Sequence, residues 1–289
     1  MARVTRRWRV RRLGADGSVS ERADVLAGEE PLEIRLGGRP FTVTMRTPGD
    51  DFDLVAGFLL SEGVVHEHGQ IARMDYRSGI AATGERDYNV VDVRLAEGVP
   101  LPDTSMERHV YTSSSCGVCG TASIEAVRKA SRHTPAGDDA TVALGDLLAM
   151  PDRLREGQEL FGRTGGVHAA ALFLPARPHG IPSGRPAGAP DLVCLREDVG
   201  RHNAVDKVVG WALREGLLPA RGGVLQVSGR ASFELVQKAA MAGIPVLSAV
   251  SAPSALAVEL GEEEGVTVIG FNRGDRLNVY SRGDRVLAP

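Results

Sequence analysis

Cysteine is scarce in this chain of 289 residues: there are three, Cys116, Cys119 and Cys194, and only the first two lie close together. A small, odd number argues against a disulfide-stapled secreted scaffold and fits a reducing compartment where thiols persist for chemistry. Long apolar runs are missing too. None approaches the roughly 18 to 20 residues of a helical membrane span, and the stretch after the basic start "MARVTRRWRVRR" lacks the apolar region of an export signal. The chain is therefore expected in the cytoplasm. No charge of one sign dominates: the formal net charge is −3, which gives no global case for nucleic acid or membrane as partner. The basic start is local, and its Trp and Val interleave with Arg at period two, which predicts an exposed first strand or a frayed arm. Neither a Walker loop nor G-x-G-x-x-G occurs, so ATP hydrolysis and a dinucleotide hydride carrier are not indicated.

What is present can bury a full core: 43% of the residues are apolar, enough for one large domain or two unequal ones. "PLEIRLGGRPFTVTM" alternates on both sides of Gly37-Gly38, a hairpin pattern, and "YNVVDVRL" is another strand. Between them "TPGDDFDLVAGFLLSEG" predicts a short amphipathic helix with Asp50 or Asp51 as N-cap and Gly63 as its stop. Residues 1–105 thus form a small α+β unit, residues 106–135 hold the cysteine segment and a following helix, and residues 136–289 form an α/β domain. In that domain "VHAAALFL", "LVCLRE", "GVLQVSG", "IPVLSAV" and "VTVIGF" have strand length. Helices over 203–215, 231–242 and 254–264 each run into a glycine, as a C-cap would have it. Such alternation predicts a largely parallel sheet with helices on its faces. The Pro/Gly-rich stretch 175–190 is read as a surface loop.

In an open α/β sheet ligands sit beyond the carboxyl ends of the strands, where loops lead into helix N-termini. The polar residues gather in those loops: Asp198, Arg201 and His202 after one strand, Ser228, Gly229 and Arg230 after the next, then Ser251 and Ser254, and finally "FNRGDR", Phe271 to Arg276. Arginines beside serines and glycines suit phosphate oxygens, and Gly229 and Arg230 opening a helix would make a phosphate cradle. Taken singly, each residue is a cap or a solvated turn; the four loops together point to a nucleotide-like ligand. His168, at the start of a strand, invites a metal reading, but a zinc deaminase needs H-x-E and then P-C-x-x-C. Ala170 stands where the glutamate would be.

The stretch "YTSSSCGVCGTASIE" admits a structural zinc site, a redox pair, a sulfur-carrying nucleophile or a tight turn. A structural zinc needs four ligands, whereas His133 stands alone and Cys194 lies inside an apolar strand. The flanking Ser and Gly suit thiols that travel between two sites.

"YTSSSCGVCG", "TGGVHAAAL", "REDVGRHNAVDKVVG" and "SGRASFELVQKAAMAGIPVLSAVSAPSALAVEL", in this order, resemble the formate dehydrogenase accessory sulfurtransferase family, FdhD, over most of the chain. The resemblance implies a cytidine-deaminase-like three-layer sandwich without the deaminase zinc ligands, joined to the smaller N-terminal α+β subdomain. It implies a sulfurtransferase in which Cys116 bears a persulfide and Cys119 is its partner. Sulfur would come from a cysteine desulfurase and pass to the molybdenum or tungsten cofactor, bis-molybdopterin guanine dinucleotide, that formate dehydrogenase requires. Phe271, Asn272, Arg273, Gly274, Asp275 and Arg276 match the segment that contacts the guanine dinucleotide. Ser228, Gly229, Arg230, His168, Asp198, Arg201 and His202 are the other candidate cofactor contacts. No resident metal is expected, and the resemblance suggests a homodimer. A non-catalytic chaperone that holds the cofactor is the competing reading.

Overall fold

Paired strands, not a frayed arm, are what the basic N-terminus becomes. In the computed structural model, which describes residues 4–77, 79–80, 86–102, 131–175 and 189–288, β1 (Thr5–Leu13) pairs antiparallel with β2 (Val19–Ala27) as a separate two-stranded ribbon. The alternating stretch after it forms β3 (Glu30–Leu36) and β4 (Arg39–Arg46). Their two-residue turn has positive φ at both Gly37 and Gly38, +57° and +82°, a geometry that only glycine adopts without strain.

The helix expected next is α1 (Asp51–Ser61), but two details differ from the expectation. Asp50 takes the N-cap position in a left-handed conformation and makes no capping bond with its side chain. The helix is also buried nearly all round, Asp51 and Asp53 included, and so is not amphipathic in the ordinary sense. The reason is its place, between a small sheet and a second helix described below. That sheet has the order β4-β3-β8-β5, with β5 (Ile71–Tyr76) and β8 (Val90–Leu95); β6 (Gly79–Ile80) and β7 (Arg86–Asp87) pair apart from it.

The second half contains β9 (Val142–Ala143), α2 (Leu144–Glu156), α3 (Glu159–Thr164), β10 (His168–Leu174), β11 (Asp191–Asp198), α4 (Arg201–Arg214), β12 (Val224–Val227), α5 (Phe233–Met241), β13 (Val246–Ala249), α6 (Ala255–Glu264), β14 (Thr267–Arg273), β15 (Arg276–Val279) and β16 (Val286–Leu287). Six of the strands form one sheet in the order β11-β10-β12-β13-β14-β15. It is mixed, where a largely parallel sheet was expected. The strands joined through helices, β11 to β14, run one way; β10 runs against both its neighbours and β15 against β14. Between β14 and β15 only Gly274 and Asp275 intervene, too few for a crossover helix, so the pair returns antiparallel.

Strand alternation sorts the apolar residues onto two faces. On one face Leu147, Met150 and Leu154 of α2 pack on Ala171, Phe173, Val224 and Ile269. On the other, α4, α5 and α6 cover Leu172, Leu225, Leu247 and Val268, and the same apolar cluster continues through α1 to Leu32, Ile34 and Val91 of the small sheet. Where α1 crosses α4, Gly57 and Gly210 let the backbones touch: a Cβ on Gly57 would overlap the Asp206 carbonyl, and one on Gly210 would overlap that of Asp53. The fold is thus a mixed α/β structure, layered helix, sheet, helix in its second half.

Candidate functional site

The buried end of β11 carries a charge that the neighbouring chain neutralises. Asp198 has no solvent exposure; it meets Lys207 Nζ at 2.8 Å and accepts bonds from the N–H of Thr47 (3.0 Å) and Gly200 (2.8 Å) and from Asn203 Nδ2 (3.1 Å). Lys207 in turn donates to the Thr47 carbonyl at 2.9 Å. A buried carboxylate persists only when paired and fully hydrogen-bonded. Asp198 is therefore spent on joining the β4–α1 turn to the start of α4, and it positions its neighbours rather than touching a ligand. Arg201 and His202 do not lie in a loop, since α4 begins at Arg201.

Antiparallel pairing brings the start of β10 to this same edge: His168 stands opposite Asp198. The β12 loop closes over it. Ser228 N–H donates to the Ala169 carbonyl (3.0 Å) while Ser228 Oγ accepts from Ala169 N–H (2.9 Å). Gly229 lies beside the His168 ring, where an added Cβ would sit 3.6 Å from Nδ1. Burial, then the nearby Arg201 and His202 charges, push the His168 pKa below its ordinary value, which keeps the ring neutral at neutral pH.

The cradle expected at Gly229 and Arg230 is displaced along the chain. Helix α5 starts at Phe233 behind Ser232, because Ala231 first makes a bridge to Pro253 of the next loop. Arg230 is exposed ahead of it. The loops are stitched to one another through their backbones: Ser251 N–H to the Gly229 carbonyl, Ser254 N–H to that of Ala231, Phe271 N–H to that of Ser251. Much of their donor capacity is used internally, which leaves side chains as the main means of contacting a ligand.

At the last loop Phe271 takes φ +53°, strained backbone for a bulky residue, inside a register shift between Gly270 and Arg273. Gly270 is required beneath it, since a Cβ there would lie 2.7 Å from Pro253 Cδ. Arg273 reaches over the Phe271 ring, 5.8 Å from its centroid. Gly274 and Asp275 make the turn into β15, and Arg273, Gly274, Asp275 and Arg276 are exposed. Asn272 is different: it is fully buried and donates to the Leu147 carbonyl at 2.8 Å and to Ser248 Oγ at 2.9 Å. Its side chain holds the loop to α2 instead of facing a ligand.

One residue at the edge escaped the sequence reading. Glu234, in the first turn of α5, faces the buried His202 with Oε2 3.7 Å from Nε2. His202, together with the backbone and Ser232, holds its carboxyl down to about 2 against the opposing effect of burial. An acidic residue in a first helical turn reads as dipole complement, so the sequence had nothing to distinguish it. Cys194 is buried in β11, and burial pushes its thiol up to about 12, far from a reactive thiolate. Cys116 and Cys119 lie outside the described residues, as do most of the helix expected after them and residues 176–188 of the Pro/Gly-rich stretch. Among the described residues no helix is long and apolar enough to cross a membrane, and no group of three His, Cys, Asp or Glu side chains is placed to hold a metal ion.

The body that these elements define, a mixed six-stranded sheet with arginine-bearing loops at one edge, is matched by known proteins. The model of the FdhD/NarQ family matches residues 27–287, and the chain belongs to that family. Curated relatives named sulfur carrier protein FdhD include one from Mycobacterium tuberculosis, 56% identical over 99% of this chain and 100% of its own length. Another, from Streptomyces avermitilis, is 57% identical over 99% of this chain and 97% of its own. Among solved structures, that of a Desulfotalea psychrophila protein named as a formate dehydrogenase accessory protein superposes with a TM-score of 0.70 at 23% identity, covering 99% of this chain and 100% of that one.

Proposed function

We propose that this chain is a sulfur carrier in formate dehydrogenase maturation, taking sulfur from a cysteine desulfurase and passing it to bis-molybdopterin guanine dinucleotide as substrate. The observation that carries the reading is the gathering of Arg230, Arg273 and Arg276 with Phe271 and His168 at one sheet edge. Guanidinium groups pair with pyrophosphate oxygens, and an aromatic ring stacks on a base or pterin. A neutral His168 accepts or donates a hydrogen bond there without adding charge. The names of the curated relatives support the sulfur-carrier role.

In this reading the Cys116 thiolate attacks the outer sulfur of the desulfurase persulfide; the desulfurase cysteine leaves as thiolate and Cys116 holds a persulfide. Attack of the Cys119 thiolate on the Cys116 sulfur then forms a disulfide and releases the outer sulfur as sulfide, the dithiol supplying both electrons. A thiol reductant resets the pair. Ser131, the first described residue after the cysteine segment, donates its Oγ–H to the Ala240 carbonyl near the far end of α5. Desulfurase and formate dehydrogenase are the partners of this reading, and a homodimer its expected state.

Intact mass after incubation with desulfurase and cysteine tests it: one added sulfur, removed by reductant, is expected. Cys116→Ala should abolish activation of formate dehydrogenase while leaving thermal stabilisation by GDP intact, and Arg273→Ala should weaken that stabilisation. Full activation by Cys116→Ala would instead favour a chaperone that only holds the cofactor.

A further inference from the structure

The β1–β2 ribbon precedes nearly all of the region that the family model matches, residues 27–287, and among the described residues no other strand pairs with either of its edges. Its β2 side rests on the body at α3, which leaves β1 as the outer strand. An isolated two-stranded ribbon is marginal in water, yet this one exposes much of its apolar surface, with Trp8 62% and Leu13 68% accessible. An open strand edge without proline is a ready template for another chain. Between Val4 and Ala27 six arginines stand against three carboxylates, in a protein whose net charge is −3.

Their placement narrows the partner. Arg7, Arg9 and Arg11 project from one face of β1 at a spacing of about 7 Å, and Arg6, Trp8 and Arg12 from the other. Arg9 pairs with Glu21 at 3.0 Å; among the described residues Arg7 and Arg11 form no ion pair. Guanidinium on both faces leaves no apolar side to enter a lipid surface. A nucleic acid has no peptide main chain to pair with the open β1 edge. An extended peptide with an acidic residue at every second position has the matching repeat. We propose that the ribbon docks an acidic, extended segment of another protein, its main chain pairing with the β1 edge and its alternate carboxylates meeting Arg7, Arg9 and Arg11.

The inference stands apart from the sulfur-carrier reading and is tested without it. The full chain is titrated with a twelve-residue peptide alternating threonine and glutamate, followed by Trp8 emission, with Trp8→Phe subtracting the signal of Trp211, and by hydrogen exchange of the β1 amides. Expected are a change in emission, slowed exchange along β1 and weaker binding as salt is added. Arg7→Glu with Arg11→Glu should raise Kd by about tenfold or more, with far-UV circular dichroism and Tm unchanged because both side chains are exposed. Replacing the threonines of the peptide by proline keeps its charge and removes every second strand donor, and should weaken binding. Equal binding of the proline peptide, tighter binding of duplex DNA, of phosphatidylglycerol vesicles or of a second copy of the chain, or no binding of the peptide would each overturn the proposal.

Discussion

Pro151 and Asn272 explain each other. Proline at position 151 has no N–H for the carbonyl of Leu147, one turn earlier in α2, and Asn272 Nδ2 supplies the missing donor at 2.8 Å. Asn272→Ala should therefore cost about 1–3 kcal/mol, the penalty of a buried carbonyl left without a partner. In a Pro151→Ala background, where an N–H is restored, the cost should shrink; urea unfolding of the four proteins in this double-mutant cycle measures the difference. His168 makes a second prediction. Its folded pKa lies below its unfolded one, so the unfolded chain takes up a proton first as pH falls. The stability tied to its neutral form is complete above about pH 6.5, the unfolded value, and is lost as pH falls through the folded value. His168→Gln should flatten the decline of stability as pH falls below about 6.5, without abolishing it because burial also lowers His66. An NMR titration in which His168 has its midpoint above the free-histidine value would contradict this.

Among elements, the crossing of α1 and α4 is the tightest contact, and it rests on two glycines. Gly57→Ala or Gly210→Ala should force the helices apart and destabilise by about 1–3 kcal/mol or more, as overpacking does. Gly145→Ala in α2, where nothing lies within 4 Å of the new Cβ, should be neutral or stabilise by up to about 1 kcal/mol. Denaturation midpoints of the three variants separate close packing from simple helix propensity. The same crossing is tied by charge: Asp206 of α4 accepts from Ser61 of α1 at 2.8 Å and meets Lys238 of α5 at 2.7 Å. Neither glycine could be singled out beforehand. Gly57 and Gly210 look in sequence like ordinary mid-helix defects, and only the partner backbone gives each its purpose.

At the scale of the whole molecule the two sheets share one apolar cluster, and the node of Asp198, Lys207 and Thr47 pins the end of the small sheet's edge strand β4 to α4. Neither half can open without exposing the other. Calorimetry should show a single heat-capacity peak with calorimetric and van't Hoff enthalpies in agreement; two resolved transitions would mean that the halves unfold separately. Asp198→Ala leaves the Lys207 ammonium buried without its counter-charge and should cost about 3–5 kcal/mol, lowering that one peak rather than splitting it.

Local chemistry was legible in the sequence wherever it acts within a few residues. The Gly37-Gly38 turn, the strand-length apolar runs, and Gly216, Gly243 and Gly265 at the helix ends all appear where the pattern places them, because turn geometry and side-chain periodicity are properties of the adjacent chain. The gathering of polar loops at one sheet edge was legible too, since strand-to-helix order dictates which ends the loops occupy. Tertiary structure alone decided the rest. That β10 lies reversed between β11 and β12, that α1 is enclosed, that Asn272 and Asp198 turn inward and that Glu234 meets His202 all depend on residues tens to hundreds of positions apart becoming neighbours. Burial and hydrogen-bond partners are set by that meeting, which no local periodicity encodes.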